Sequence, residues 1–363
     1  MQQQQHLSSD AIYEILTRVS LVTLLRQCRW VCKDWQKLIC DTNFQLIHSQ
    51  KTPIASGYFV QSYHISGSVH INFFPCISDH QYSPQIPYPS LDFIPPAKNI
   101  MIQGTSLYGS LLYCVDKSGS TQIPTYYICK PATREWRKIP NPRTRLSRER
   151  IGIAVKQSDD HPTVLHYKIL RLTTPKGAHG YHCEIFDSNK WAWKRLKDIK
   201  LPDYVSLGHG CNVFVNGGLH WVTGDGRIFV FYIDQENWTT IELPHEMANN
   251  LRRGKILITH CDGKVGVFYS NKEWMELWIL ENYCTTNPIW KKKYQNDLRS
   301  LSGHNSEFAI PIDMYSTNIA LMVNARELIW YNCDNDTYTS TLNFQRDCVG
   351  GDLFPFKFKF NYL

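Results

Sequence analysis

The sequence lacks any run of apolar residues long enough to cross a bilayer, which takes about 18 or more. Its first six residues, Met-Gln-Gln-Gln-Gln-His, contain neither the basic segment nor the apolar segment of a secretory signal. We expect residues 1–6 to be a disordered, glutamine-rich start. These absences predict a soluble protein of the cytoplasm, the nucleus or both, with no membrane partner.

The sequence also lacks a Cys-x-x-Cys pair, although it contains 12 cysteines. Scattered cysteines in a reducing compartment are expected to be buried thiols that behave as small hydrophobic residues. Zinc needs a close set of Cys and His ligands. The nearest approach to such a set, His179, His182 and Cys183, lies in a glycine-containing loop, which is more often a solvated turn. The sequence therefore predicts no metal and no cofactor.

Sequence motifs of common enzymes are missing as well. There is no Gly-x-Ser-x-Gly elbow, no phosphate-binding loop and no dinucleotide fingerprint. The carboxylate pair Asp159-Asp160 lies in a polar stretch before His161-Pro162, which favours a solvated loop. These absences predict a non-catalytic protein. An enzyme remains an alternative, because Cys and His are plentiful and the sequence does not show which of them meet.

Charged residues are few, at 20%, and the net charge of +7 is concentrated in one segment. Residues 130–156 contain nine basic and two acidic residues, a surplus of seven, so the rest of the chain balances at 30 of each sign. A nucleic-acid-binding protein usually spreads its basic footprint over a face or a helix. The charge pattern therefore predicts no nucleic-acid partner.

Apolar residues near the start of the chain recur with helical spacing. A first series follows i, i+3, i+4, i+7, with Ser9 or Asp10 as the expected helix cap: Ile12, Ile15, Leu16 and Val19. A second series begins after a break at Ser20 and comprises Leu24, Cys28, Val31, Trp35 and Leu38, flanked by Leu25, Cys32 and Ile39. The simplest interpretation is a pair of core helices that pack on the rest of the chain.

This stretch also resembles an F-box, through Leu7, Asp10, Ile15-Leu16, Val31-Cys32-Lys33-Asp34-Trp35, Leu38-Ile39 and Phe44. It departs from the family pattern at Ser8 and Ser20, where proline is usual. The resemblance implies an F-box domain of three short helices over residues 7–51, which docks on the Skp-type adaptor of a cullin-based ubiquitin ligase. The residues it implies for adaptor binding are Leu7, Ile12, Ile15, Leu16, Val19, Leu21, Leu24, Leu25, Val31, Cys32, Trp35 and Leu38. Among them, Trp35 is expected to be an internal anchor.

From residue 52 to residue 363 the pattern changes to strands. A unit of an apolar strand, a polar turn and a second strand with an aromatic ring recurs, with the rings at Trp136, Trp193, Trp238, Trp290 and Tyr338. Their separations of 57, 45, 52 and 48 residues are typical of propeller blades. We predict an α+β chain: a small all-α N-terminal domain followed by an all-β propeller-like domain over 52–363, with six blades and seven as the alternative. We expect most of the rings to lie in the core.

The last residues alternate, with Phe354, Phe356, Phe358, Phe360 and Tyr362 on one face. We expect this strand to close the propeller against the first blade, near residues 58–63. The repeats also resemble the F-box-associated domain of plant F-box proteins over about 100–345, through Pro131-Ala132-Thr133-Arg134-Glu135-Trp136 and Val215-Asn216-Gly217-Gly218-Leu219-His220-Trp221. Lys130 replaces the Asn that the family has before the first of these runs. This resemblance implies a role in recruiting a substrate and does not name one.

The basic segment has two interpretations. It is either a solvated loop between blades or a binding patch for an acidic or phosphorylated target, formed by Arg143, Arg145, Arg148 and Arg150. Arginine suits the second role because its planar fork binds carboxylate or phosphate in a bidentate manner.

The two resemblances together imply the substrate-recognition subunit of an SCF-type (Skp-cullin-F-box) ubiquitin ligase. Its partners would be a Skp-type adaptor, a cullin scaffold and an unidentified target protein. A ligand- or carbohydrate-sensing propeller coupled to the ligase and a propeller enzyme are the alternatives.

Overall fold

The computed structural model describes residues 8–51, 56–65, 67–75, 89–95, 100–106, 110–117, 123–144, 149–157, 165–175, 180–202, 205–208, 212–248, 254–283, 287–301, 309–324, 327–340 and 348–357. The chain divides into two compact units. The first unit takes Met1–Asn141, Val155–Tyr167 and Val349–Leu363, and the second takes Pro142–Ala154 and Lys168–Cys348. The expectations for residues 1–6 and for Leu7 lie outside the described residues.

The described chain begins with four α-helices and one 3₁₀ turn, where the sequence predicted three short helices. They are α1 (Ser9–Leu16), α2 (Leu21–Arg26), the 3₁₀ turn Cys28–Trp30, α3 (Lys33–Cys40) and α4 (Thr42–Lys51). The second apolar series, from Leu24 to Leu38, is therefore not one helix. Cys32 is extended, with φ −160°, and its Sγ accepts a hydrogen bond from the Trp35 N–H at 3.5 Å, so it ends one helical segment and caps the next.

Serines cap the first two helices. Ser8 Oγ accepts from the Ala11 N–H at 3.2 Å, so the cap predicted at Ser9 or Asp10 is wrong. Ser20 Oγ accepts from the Thr23 N–H at 3.2 Å. A side-chain oxygen at this position satisfies an N–H group that has no partner inside the helix. Both serines that replace the usual F-box prolines therefore have a structural role at helix starts.

Twenty-three strands follow in the described residues. They are β1 (Ser56–His64), β2 (Val69–Pro75), β3 (Ile100–Ser106), β4 (Leu111–Asp116), β5 (Thr125–Lys130), β6 (Glu135–Ile139), β7 (Glu149–Gln157), β8 (Leu165–Thr173), β9 (His182–Asp187), β10 (Ala192–Arg195), β11 (Val213–Val215), β12 (Gly218–Val222), β13 (Arg227–Tyr232), β14 (Asn237–Glu242), β15 (Lys255–Cys261), β16 (Lys264–Ser270), β17 (Trp274–Asn282), β18 (Ile289–Asp297), β19 (Ile310–Met314), β20 (Ile319–Val323), β21 (Leu328–Asn332), β22 (Thr337–Ser340) and β23 (Cys348–Lys357). A short helix, α5 (His245–Ala248), lies between β14 and β15.

The strands form six sheets in the described part of the chain: β2-β1-β23, β3-β4-β5-β6, β10-β9-β8-β7, β11-β12-β13-β14, β15-β16-β17-β18 and β19-β20-β21-β22. Each sheet is one blade of a six-bladed β-propeller, which confirms the predicted architecture and blade number. Tight hairpins join neighbouring strands in two of the blades. Asn216-Gly217 and Asp262-Gly263 have positive φ at both residues, and they join β11 to β12 and β15 to β16.

The final strand pairs with the first blade, as the sequence predicted. β23 lies beside β1, and Phe354 and Phe356 are buried. The ring of Phe356 lies 5.2 Å from that of Phe59, and the Tyr63 hydroxyl donates to Asp352 Oδ2 at 2.5 Å. Phe358, Phe360 and Tyr362 lie outside the described residues. The two ends of the propeller sequence therefore share one sheet.

The expectation that most repeat rings lie in the core is wrong. Trp193 is buried, but Trp136 and Trp238 are each 39% exposed and Tyr338 is 49% exposed. These rings lie on β6, β10, β14 and β22, each of which is an outer strand that pairs on one side only in the described residues. Trp136 packs edge-on against Tyr127 at 5.7 Å, so the rest of its ring is left at the surface.

Candidate functional site

The apolar stripes of the helices are used within the chain. Leu16, Leu21, Leu24 and Leu25 are at most 4% exposed. They belong to the same buried cluster as Phe59, Ile102, Leu112, Cys129 and Phe356 from the neighbouring sheets of the first unit. Of the predicted adaptor-binding residues, four more are partly buried against this cluster: Ile12, Val19, Trp35 and Leu38. The apolar stripes of the helices are therefore largely part of the protein's own core.

Three predicted residues remain at the surface of the helical segment. Ile15 is 49% exposed, Val31 is 62% exposed, and Cys32 is also exposed. Leu7 lies outside the described residues. The set that was predicted as one binding face therefore divides into a buried part and an exposed part.

Sequence reasoning missed Trp30, which is 68% exposed, and Leu46, which is 60% exposed. Trp30 ends the 3₁₀ turn, and the guanidinium carbon of Arg29 lies 4.5 Å from the centre of its ring. The signal was present in the sequence, because Trp30 is a large apolar residue that belongs to neither helical series. Exposed aromatic residues of this kind are enriched at protein interfaces.

An ion pair connects the helical segment with the outer strand of a blade. Arg29 Nη2 lies 2.8 Å from Glu135 Oε1, and the two side chains are only 11% and 29% exposed. The Thr133 hydroxyl donates to the other Glu135 oxygen at 2.8 Å. Both partners belong to the first unit, so the exposed Trp30 is held next to strand β6.

Polar contacts fix helix α4 against helix α1 and the turn that follows it. His48 is buried, and its Nε2 lies 2.7 Å from the Val19 carbonyl, so this nitrogen carries the proton. Burial lowers the pKa of His48 below its ordinary value. Lys51 Nζ lies 2.9 Å from Glu14 Oε2, and hydrogen bonds from Lys51 and Arg18 lower the pKa of Glu14. These contacts hold α1 so that Ile15 faces outward.

The predicted basic patch is only partly described. Arg143 is exposed, whereas Arg145 and Arg148 lie outside the described residues. The Arg150 guanidinium donates to three carbonyls: Nε to Gly208 at 2.9 Å, Nη2 to Leu207 at 3.2 Å and Nη1 to Glu149 at 3.2 Å. Arg150 therefore holds backbone segments of the second unit together, a role that its position in the sequence did not indicate.

A buried ion cluster fixes the start of this basic segment. Arg171 is fully buried, with Nη1 2.9 Å from Glu184 Oε2 and Nη2 2.6 Å from Glu149 Oε1. Glu184 Oε1 accepts from the backbone N–H groups of Arg143 at 3.1 Å and Thr144 at 3.2 Å. All of these groups belong to the second unit. The carboxylate of Glu184 thereby sets the backbone at the point where the arginine-rich segment begins.

The described residues contain no group of three or more His, Cys, Asp or Glu side chains that are placed to hold a metal ion. His182 Nδ1 lies 2.9 Å from Asp198 Oδ2. The adjacent Cys183 is buried, and burial raises the pKa of its thiol to about 12. His179 lies outside the described residues. Eight of the described cysteines are free, and five of these eight are buried.

No helix in the described part of the chain combines the length and the apolar character that crossing a membrane requires.

The chain matches the family described as the F-box associated beta propeller domain over residues 59–356, from strand β1 into strand β23. F-box protein At5g49610 of Arabidopsis thaliana is 26% identical over 306 residues, which cover 81% of this chain and 80% of the relative. F-box protein At5g07610 of the same plant is 24% identical over 310 residues, covering 81% and 71%. F-box protein At5g41720, also from Arabidopsis thaliana, is 38% identical over 86 residues, covering 23% of this chain and 44% of that relative.

Proposed function

Because the chain belongs to the family of F-box proteins with an F-box associated β-propeller domain, we propose that it is the substrate-recognition subunit of an SCF-type ubiquitin ligase. Residues 7–51 form the F-box that binds the Skp-type adaptor, and residues 52–363 form the domain that holds the target protein. The chain makes no bond itself. It acts by positioning the target near the ubiquitin-charged enzyme of the ligase. The match to the family over residues 59–356 is the observation that carries this proposal.

Adaptor binding is supported by the apolar surface at Ile15, Trp30 and Val31. These side chains are 49%, 68% and 62% exposed, although each is apolar. Burying a side chain of this size contributes about 1.5–3 kcal/mol. A few such anchors, with tryptophan prominent among them, usually supply most of the affinity of an interface. The leucines beneath them act indirectly, by fixing the shape of this surface.

Adaptor binding is tested by replacing Ile15 and Val31 with aspartate in the full chain. Both side chains are exposed, so the variant should fold, whereas Leu16→Asp would place a carboxylate in the core. We expect the affinity for a purified Skp-type adaptor to fall by at least about 100-fold in calorimetry, since two anchors are lost. Ile65→Asp is the matched control, because Ile65 is 79% exposed on the turn between β1 and β2. Full adaptor binding by the Ile15/Val31 variant would contradict the proposal.

Target recruitment is tested with the same variant. Removing residues 8–51 would uncover Phe59 and the rest of their shared cluster, so a point variant is the better comparison. Affinity capture from proteasome-inhibited cells should recover the same targets with both chains and the adaptor only with the wild type. A captured protein is a target if a reconstituted ligase transfers ubiquitin to it with the wild-type chain and not with the variant. Ubiquitin transfer that is equal with both chains would count against this function.

The basic segment is proposed as part of the target-binding surface. Arg143, Arg145 and Arg148 would pair with carboxylate or phosphate groups of the target. Replacing these three with glutamate should abolish target capture and leave adaptor binding unchanged. Arg150 is left out of the variant, because its guanidinium holds three backbone carbonyls. If this variant captured targets as well as the wild type does, the basic segment would be a solvated loop and not a binding surface.

A further inference from the structure

Strand β6 differs from the other outer strands in what it presents to solvent. It is the last strand of the sheet β3-β4-β5-β6, so its outer edge has no partner strand in the described residues. Such an edge presents unpaired N–H and C=O groups. Trp136, Arg137 and Lys138 on this strand are exposed, and an open cleft of about 410 Å³ is lined by Arg134, Glu135, Trp136 and Arg137.

The charge of this edge is positive. Its one carboxylate, Glu135, is paired with Arg29 at 2.8 Å. Arg134 is paired with Asp92 at 3.0 Å, and hydrogen bonding from Ser90 together with the Arg134 charge lowers the pKa of Asp92. Lys138 makes no ion pair within the part of the chain that the structure describes, and Arg137 adds a second exposed cation. The edge therefore suits a partner that brings carboxylates.

Most cations on the other outer strands are neutralised by the chain itself. Lys194 of β10 lies 2.6 Å from Glu236, Lys292 of β18 lies 3.0 Å from Glu276, and Lys293 of β18 lies 2.8 Å from Asp262. Strands β14 and β22 carry no lysine or arginine. Among the described residues of these strands, β6 is the one that combines an exposed tryptophan with exposed cations, and a cleft lies beside them.

We propose that β6 binds an extended acidic segment of the recruited protein, which adds to the sheet as a further strand. The inference rests on the proposed function, because it names the part of the target that the propeller holds. Main-chain hydrogen bonds to the edge would supply affinity, as in other cases of strand addition. Side chains alternate along β6, so Trp136 and Lys138 share one face and Arg137 lies on the other. The bound segment therefore presents carboxylates on both faces and an apolar side chain to Trp136.

The length of β6 limits how many residues of the bound segment can pair with it. The strand has five residues, Glu135–Ile139, so the segment pairs over about five residues of its own. The Arg29–Glu135 pair keeps the helical segment beside this strand, so the bound target lies next to the helices that are proposed to bind the adaptor. The adaptor is therefore a competing ligand for the edge of β6, and the experiment must distinguish its binding from that of the target.

The test measures binding of a fluorescein-labelled peptide of about eight residues, all glutamate except for one central valine, to the full chain, with and without the adaptor, by fluorescence anisotropy. Replacing Arg137 and Lys138 with glutamate should weaken binding about tenfold, because two attractive charges become repulsive. Lys291→Glu is the control for charge, since Lys291 is an exposed lysine on outer strand β18, and it should change the affinity less than about twofold. Trp136→Ala should weaken binding without a change of charge.

Two further probes separate strand addition from charge attraction. The same peptide with alternate backbone nitrogens methylated cannot pair with a strand edge, and it should bind about tenfold more weakly. A peptide with lysine in place of glutamate should not bind. Equal binding of the methylated peptide, or an equal loss with Lys291→Glu, would overturn the proposal. If the Arg137/Lys138 variant failed to bind the adaptor, the edge of β6 would be a binding site for the adaptor and not for the target. Failure of adaptor binding by the wild type would refute the proposed function and leave the peptide result on the free chain intact.

Discussion

Replacing Arg171 with methionine should strongly destabilise the second unit. Arg171 is fully buried, and its two terminal nitrogens serve different carboxylates, Glu184 at 2.9 Å and Glu149 at 2.6 Å. Methionine fills similar space without a charge. The variant would therefore leave Glu184, whose side chain is 1% exposed, with no counter-ion among the described residues.

Removing one partner of a buried ion pair costs about 3–5 kcal/mol. For a unit of this size, each kcal/mol lowers Tm by roughly 2–4 °C, so Tm should fall by roughly 6–20 °C. Glu184 keeps its hydrogen bonds from Arg143 and Thr144, which places the expected loss toward the lower end of that range. Adding Glu184→Gln to Arg171→Met removes the second charge and should recover about half of the loss. Arg171→Lys should cost less than methionine, because a lysine ammonium can still pair with one of the two carboxylates.

The measurement is scanning calorimetry of the full chain, combined with amide hydrogen exchange at Arg143 and Thr144. Exchange at these amides should accelerate in the Arg171→Met variant, because their acceptor, Glu184, loses its own support. Arg299→Met is the control, since the Arg299–Asp297 pair is exposed and should leave Tm unchanged. A wild-type Tm for Arg171→Met would refute the reasoning, and so would a double variant less stable than the single one.

Three further changes test single contacts. Ser20→Ala removes the cap of α2 and should lower the free energy of unfolding by about 1 kcal/mol in a thermal melt. Gly263→Ala should cost about 1 kcal/mol in the same assay, because Gly263 has φ +77° and a side chain is strained there although the space is open. Burial lowers the pKa of His220 from 6.5 to about 4, so the unfolded chain takes up the proton first as the pH falls. The free energy of unfolding should therefore drop by about 3 kcal/mol between pH 6.5 and pH 4 in urea titrations, and His220→Gln should lose that slope.

The parts of the fold that depend on local chemistry could be predicted from the sequence. Asn216-Gly217 and Asp262-Gly263 specify tight hairpins because both positions need positive φ, and the structure has them there. The alternation through Phe354 and Phe356 correctly predicted a buried face on the last strand. Each of these two signals lies within a few residues of the structure it determines. The blade number followed from a longer repeat, because the ring residues recur every 45 to 57 residues.

The parts that depend on distant neighbours were not predictable in the same way. Arg150 lies in a basic segment, yet its guanidinium meets the carbonyls of Leu207 and Gly208, which are far away in the sequence. Trp136 has the repeat position of a core ring, yet β6 is an outer strand and leaves the ring 39% exposed. Periodicity shows which side of an element is apolar. It does not show whether another element covers that side.

Which residues of the helical segment can bind a partner also depends on whether another element of the chain covers them. Leu16, Leu24 and Leu25 follow the helical period and are buried in one cluster with residues from the sheets of the first unit. Trp30 does not follow the period, and the described residues leave it 68% exposed. A large apolar residue gains by burial wherever a surface can cover it. Exposure in the structure is therefore a better guide to a docking site than the helical pattern, since Ile15 and Val31 follow that pattern and are exposed all the same. By this argument, Trp30 ranks ahead of the leucines in the proposed adaptor interface.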